Sequence, residues 1–278
     1  DAAGHSKYDV HAPILPRPVF FGPPGPLSKG TPMCTVIVDV PAHAGGTTRI
    51  LAVRDEDPAR PWDAPGEWWP STDPGVRGVR DRRANGAWLA VASDSGRLAV
   101  ILNRAEEIVP DPGTILETRG DLVLASVSGH SVPDHPRTAA FNLVEVAGSR
   151  VTVTSWDGTA VRRIELSPGV HMIAHHDLDD PRTARISRWL PEFAEQSRTE
   201  LGSLSQSAWH ERWIGVLARS AELGPADDES IIRDNRAHGY PTLSLLTCLA
   251  GVSADAVSLE SAALPTPGAW SDPTFSAS

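Results

Sequence analysis

Two short β-branched runs separated by turn residues constrain this chain most. Met33-Cys34-Thr35-Val36-Ile37-Val38-Asp39-Val40 is followed by a Pro/Gly break at Pro41–Gly46, then by Arg49-Ile50-Leu51-Ala52-Val53-Arg54-Asp55-Glu56. Val and Ile favour a pleated, half-buried backbone, and the break supplies turn residues, so the stretch predicts an antiparallel hairpin. Pairing would bring Cys34, at the start of the first strand, beside Arg54 and Asp55, at the end of the second. A cation near a thiol favours the thiolate, so Cys34, Arg54 and Asp55 form a candidate nucleophilic site.

The rest of the chain sets limits around that hairpin. Its 278 residues allow one large domain or two small ones. A net charge of −10 argues against nucleic acid or an anionic membrane as the main partner. No apolar run reaches the roughly 18 to 20 residues that span a bilayer. Two cysteines, Cys34 and Cys248, are too few for a disulfide scaffold, and a reducing, cytoplasmic setting is the plain expectation, with a single Cys34–Cys248 bridge as its alternative. Residues 1–32 hold seven prolines and the only two lysines, Lys7 and Lys29, so composition breaks just before Met33. Three origins stand for this Pro/Gly-rich leader: an expression extension, a mis-assigned start or a propeptide. A single domain is expected over 33–262, with a loose tail over 263–278.

Further along, residues 57–83 read as a long loop rich in Pro, Gly and Trp, of the kind that roofs a site. Arg60, Trp68, Trp69, Arg80 and Asp81 in it, with Trp88 beyond it, are candidate substrate-binding residues; the tryptophans equally suit a cap over one end of the core. Gly86–Ala92 and Arg97–Arg104 predict a second hairpin about Ser93–Gly96. It ends at Asn103, which either donates its amide to a developing oxyanion or closes the strand through nearby backbone. A short helix is expected over 118–127, strands over 141–146, 150–155 and 160–166, and longer helices over 182–194 and 205–223. In the last of these Trp209, Trp213, Val216 or Leu217 and Ser220 recur at helical spacing. Thr242–Leu249 and Ala256–Glu260 predict a closing hairpin. His171, His175 and His176 lie in a strand context, where a spacing of four spans roughly 13 Å, so no metal site is expected.

Several of these segments together resemble the NRDE family, which is transport and Golgi organisation protein two-like and related to cysteine N-terminal-nucleophile (Ntn) hydrolases. The resemblance runs over about residues 33–262. Its motifs are Met33-Cys34, Arg54-Asp55-Glu56, Arg60-Pro61 with Trp68 or Trp69, Asn85-Gly86-Ala87-Trp88-Leu89, Leu102-Asn103, Pro168-Gly169-Val170-His171 and Leu178-Asp179-Asp180-Pro181. The sequence departs from the pattern at Val53, at His175 where the family has Asn, and at Pro241, where an expected Arg is missing and Arg236 is the nearest candidate. The resemblance implies an α+β fold, a four-layer αββα sandwich of antiparallel sheets, Ntn-hydrolase-like. It also implies Cys34 as a nucleophile once it is the N-terminal residue, with Asn103 and His175 at the oxyanion, Asp55 at the α-amine, and no required cofactor. Its ligand would be a small molecule, an acyl amide or thioester. The alternative implied is a non-catalytic haem or acyl-CoA carrier using the same cleft, with haem then a possible cofactor; an interaction domain is the third reading.

Overall fold

The computed structural model describes residues 34–110, 113–198 and 204–277; the Pro/Gly-rich leader and Met33 lie outside them. The opening hairpin forms as β1 (Thr35–Val40) and β2 (Thr48–Glu56), with Val36 opposite Ala52 and Thr35 opposite Val53. The next segment departs from the expected loop. Trp62–Gly66 is β3 and Val76–Asp81 is β4, and the two pair antiparallel. Pro65 is tolerated because β3 is an edge strand, where one row of amides needs no ladder partner. The second hairpin follows as β5 (Ala87–Ala92) and β6 (Arg97–Asn103), turning through Gly96 at φ 59°. After helix α1 (Gly120–Val127) come β7 (Phe141–Ala147), β8 (Arg150–Trp156), β9 (Val161–Glu165) and β10 (Gly169–Ile173). Helices α2 (Ala184–Ser197) and α3 (Gln206–Ala221) precede β11 (Leu243–Val252), β12 (Val257–Ala263) and the short β13 (Ser276–Ala277).

All strand pairs within the two sheets are antiparallel. One sheet has the order β10-β1-β2-β11-β12-β13 and the other runs β3 to β9 in chain order. Alternation along the strands explains how they stack, because successive side chains point to opposite faces. Cys34, Val36, Val38, Ile50 and Ala52 meet the second sheet in one buried cluster, whose far side is covered by Val123, Leu124 and Val127 of α1. Ile37, Leu51 and Val53 point the other way and pack on Ile186, Trp189, Trp209 and Trp213 of α2 and α3. The layers are therefore helices, sheet, sheet, helix: an α+β sandwich as expected. Each fully buried Val, Ile or Leu contributes about 1.5–3 kcal/mol, so both faces of the first sheet are strongly committed.

One expectation changes, at the C-terminal end, and the free cysteines follow the plain expectation. Of the tail expected to be loose over 263–278, residues 264–277 lie against the helical layer. Leu264 is buried, Trp270 and Phe275 pack on the second cluster, and β13 pairs with β12. Cys34 and Cys248 are both free and buried, so no bridge joins them. Among the described residues no helix is long and apolar enough to cross a membrane.

Helix α1 is docked by two glycines. A Cβ on Gly86 would lie 2.7 Å from the Gly120 Cα, and one on Gly120 would lie 2.8 Å from the Ala87 amide nitrogen. Backbone cannot yield as a flexible side chain does. Gly86→Ala or Gly120→Ala is therefore expected to cost about 1–3 kcal/mol, read as a lowered thermal midpoint. An unchanged midpoint would show that the helix can lift away freely.

Candidate functional site

Cys34 is the residue about which the site forms. Its thiol accepts the Asp55 main-chain N–H at 3.4 Å and lies 3.6 Å from the Asp55 carbonyl oxygen. Continuing the β1–β2 register sets Cys34 opposite Arg54, and continuing the β1–β10 register, in which Val36 faces Ile173, sets it opposite His175. The hairpin thus brings Cys34, Arg54 and Asp55 together as expected, and β10 adds His175. Burial pushes the Cys34 thiol up to about 12, with the Asp55 carboxylate adding to the rise; the Asp55 N–H and Arg54 oppose it.

Arg54 and Asp55 occupy opposite faces of the sheet. Arg54 is on the Cys34 side, almost wholly buried, and hydrogen-bonds Glu56 at 3.3 Å rather than fixing Asp55. Its Nη1 is buried without a partner, and its guanidinium sits 5.7 Å from the Trp62 ring centre. Asp55 turns to the helical face. There it accepts a 2.6 Å bond from Ser244 and a 3.4 Å bond from Asn235, with the Arg185 and Arg233 charges nearby. Burial still dominates and raises its carboxyl to about 6. Arg185 reaches back to Thr35 with a 2.8 Å bond, so the network is anchored to the residue after Cys34.

His175 is placed by a bridge between the sheets. Asn142 on β7 donates to the Ala174 and His176 carbonyls at 2.9 and 2.7 Å, and accepts from Arg104 and Ser155. The Ala105 N–H bonds the His175 carbonyl at 2.9 Å, which sets Asn103, two residues earlier, at the same end of the sandwich. Among the described residues the Cys34 thiol is hydrogen-bonded to the Asp55 main chain, not to Asn103 or His175. Burial, then the Arg185 charge, lowers His175 to about 3, so its ring is neutral at ordinary pH. Its Nδ1 is enclosed without a partner, and the ring lies 4.1 Å from that of His176.

The expected substrate-binding residues divide into three groups. Arg60 bonds Asp81 at 2.7 Å and reaches Glu56 at 3.8 Å, which ties both to the Arg54 neighbourhood. Arg80 pairs with Asp63 at 2.8 Å across β3 and β4 and stacks over Trp68 at 4.7 Å, one strand position further out. Trp69 and Trp88 are core: Trp69 is buried and bonds the Asn85 carbonyl, and Trp88 is 8% exposed with its N–H enclosed. A cleft of about 750 Å³, lined by Asp39, His43, Arg49, Ser197 and Trp209, opens at the opposite end of β1 from Cys34.

Sequence reasoning missed four positions. Arg119, just before α1, donates to the Ala140 carbonyl at 3.0 Å and lies within electrostatic reach of Cys34, Glu56 and Arg60. Arg185 and Arg233 are buried cations facing Asp55, and Asn142 holds the His175 turn. Arg236, the candidate named for the missing arginine, is exposed and paired with Asp234; Arg233, three residues earlier, is the buried one. His171 is held by Asp179 at 2.7 Å. Among the described residues no group of three or more His, Cys, Asp or Glu side chains is arranged to hold a metal.

Two stacked antiparallel sheets covered by helices define the class, an α+β sandwich protein, and its buried Cys34 lies beside Arg54. The family described as Transport and Golgi organisation 2 matches residues 33–241, and the chain belongs to that family. No curated protein matches the chain.

Proposed function

We propose that this protein is a cysteine hydrolase or acyltransferase of the N-terminal-nucleophile type, acting on an amide or thioester through Cys34. The observation that carries the reading is the pairing of the Cys34 thiol, on the Asp55 N–H at 3.4 Å, with an arginine on the same face whose Nη1 is buried and unpartnered. That pair suits a reaction in which negative charge develops on the substrate oxygen next to the sulfur. In the reaction the sulfur bonds the carbonyl carbon and the thiol proton passes to the Cys34 α-amine, a base with a pKa near 8 once Cys34 is residue one. The leaving amine or thiol departs with that proton, and water or an amine then resolves the thioester. With Cys34 internal there is no such amine, and a thiol pushed up to about 12 stays protonated at neutral pH.

The test is intact-mass analysis of protein made from its native gene, before and after exposure to an acyl thioester. Mature chain beginning at Cys34, gaining one acyl mass on that residue, is expected. Internal Cys34 together with no acyl adduct defeats the reading.

The enclosed, protonated thiol favours a second reading, a non-catalytic carrier of an acyl-CoA. It predicts acyl-CoA binding that persists in Cys34→Ala. Haem is the other ligand of this reading; with His175 Nδ1 enclosed and His176 Nδ1 bonded to Thr183 at 3.0 Å, an iron would have to be met by Nε2 of one of these rings.

A further inference from the structure

We propose that Arg54 and Arg119 form a carboxylate subsite beside Cys34, so that the acyl group delivered to the thiol carries a negative charge of its own. The proposal rests on the acyl-transfer reading above and names its substrate class.

The cations around the thiol are unequally partnered. Three stand near it, Arg54, Arg60 and Arg119, with Glu56, Asp57 and Asp81 as the anions that reach them. Arg60 is taken up by Asp81 and Glu56. Glu56 is divided between Arg54 at 3.3 Å, Arg60 at 3.8 Å and the Asp57 N–H at 3.0 Å. Arg54 keeps Nη1 buried and unbonded, an expensive state for a donor on a cation. Arg119 spends Nη1 on the Ala140 carbonyl, a neutral acceptor.

Among the described residues, no carboxylate therefore takes up Arg54 Nη1 or hydrogen-bonds Arg119. The thiol does not supply the missing anion, since burial keeps it protonated. A single carboxylate does. Arginine presents its donors as a planar fork that matches a carboxylate. Arg54 comes from β2 of one sheet, while Arg119 leads into the helix that covers the other, so the two approach from different layers. The Trp62 ring, beside Arg54, offers an apolar wall for the methylenes between that carboxylate and the reacting carbonyl.

The experiment compares two acyl donors of the same carbon chain length, the glutaryl and pentanoyl thioesters of N-acetylcysteamine, by the rate at which each adds acyl mass to Cys34. Glutaryl transfer is expected to be at least about tenfold faster in the wild-type protein, the scale of one charge-assisted pair. In Arg119→Gln the ratio is expected to fall to within about twofold of unity, with Arg119→Lys intermediate, because the cation but not the fork survives. Equal rates in the wild type, or a ratio untouched by Arg119→Gln, overturn the subsite. If neither thioester acylates Cys34, the acyl-transfer reading itself fails. The subsite is then decided by whether free glutarate slows iodoacetamide alkylation of Cys34 in the wild type and not in Arg119→Gln; no slowing overturns it.

Discussion

Cys34→Ala is expected to abolish acyl labelling, while Cys248→Ala leaves it in place. Both cysteines point into the space between the sheets, and burial pushes both thiols up to about 12. They differ in position. Cys248 is in mid-strand on β11, opposite Ala52, with core on every side. Cys34 is just before β1, on the Asp55 N–H, beside the unpartnered Nη1 of Arg54. Removing a buried sulfur costs stability on the order of 1–2 kcal/mol, so a melting curve separates lost chemistry from lost fold. The pH profile gives a second, sharper result. A chain in which Cys34 is internal should alkylate slowly at pH 7 and ever faster toward pH 12, because only the thiolate reacts. A chain that begins at Cys34 gains its own amine as proton acceptor, and its labelling curve should bend near pH 8. Labelling undiminished in Cys34→Ala would remove this thiol from the chemistry.

The parts of this fold legible in the sequence are those with strong local periodicity. The Val/Ile runs of β1 and β2 and the Leu98–Leu102 run form strands buried on both faces, as continuous apolar runs do, and the Trp209–Trp213–Ser220 stripe faces the core where its helical spacing sets it. Strands β3 and β4 escaped because Pro65, Gly66 and Gly78 mimic a loop, and their pairing is secured by long-range partners such as Arg80–Asp63. Cys34, Arg54 and Asp55 were legible as neighbours, since a hairpin fixes its own register. The face on which each sits was not, because it depends on which layer each side of the sheet meets. His175 became a neighbour only through the pairing of β1 with a strand some 130 residues later, well beyond local pattern. The buried arginines were hidden for a different reason. Arginine is ordinarily a surface residue, and Arg185 and Arg233 are interior where acceptors meet them, Thr35 for the one and Asn235, Asp228 and main-chain carbonyls for the other, with the Asp55 charge near both.

That dependence makes Arg233→Met the second large effect. Arg233 is fully buried and bonds Asn235 at 2.8 Å, which in turn bonds Asp55. Removing one partner of a buried charge group leaves the other uncompensated, and a loss of about 3–5 kcal/mol is expected. The loss should depend on pH in a definite direction. The Asp55 carboxyl is raised to about 6 in the folded protein, against roughly 4 in an unfolded chain. Between those values the folded state holds the extra proton, so the Asp55 contribution is fully favourable below about pH 4 and is lost as pH rises through about 6. Arg233 opposes that rise, so without it the carboxyl titrates higher still, and Arg233→Met should be hurt more at pH 8 than at pH 5. Denaturant midpoints at the two pH values give the comparison; equal losses would mean that Arg233 acts by packing alone. Asp55→Asn supplies the matching half of the cycle. It removes the anion near Arg185 and Arg233 and is destabilising by itself, but in the Arg233→Met background it removes the charge that the lost cation had offset. The double variant should therefore be less destabilised than the sum of the single ones, by on the order of 1–3 kcal/mol, as expected for groups that share one network.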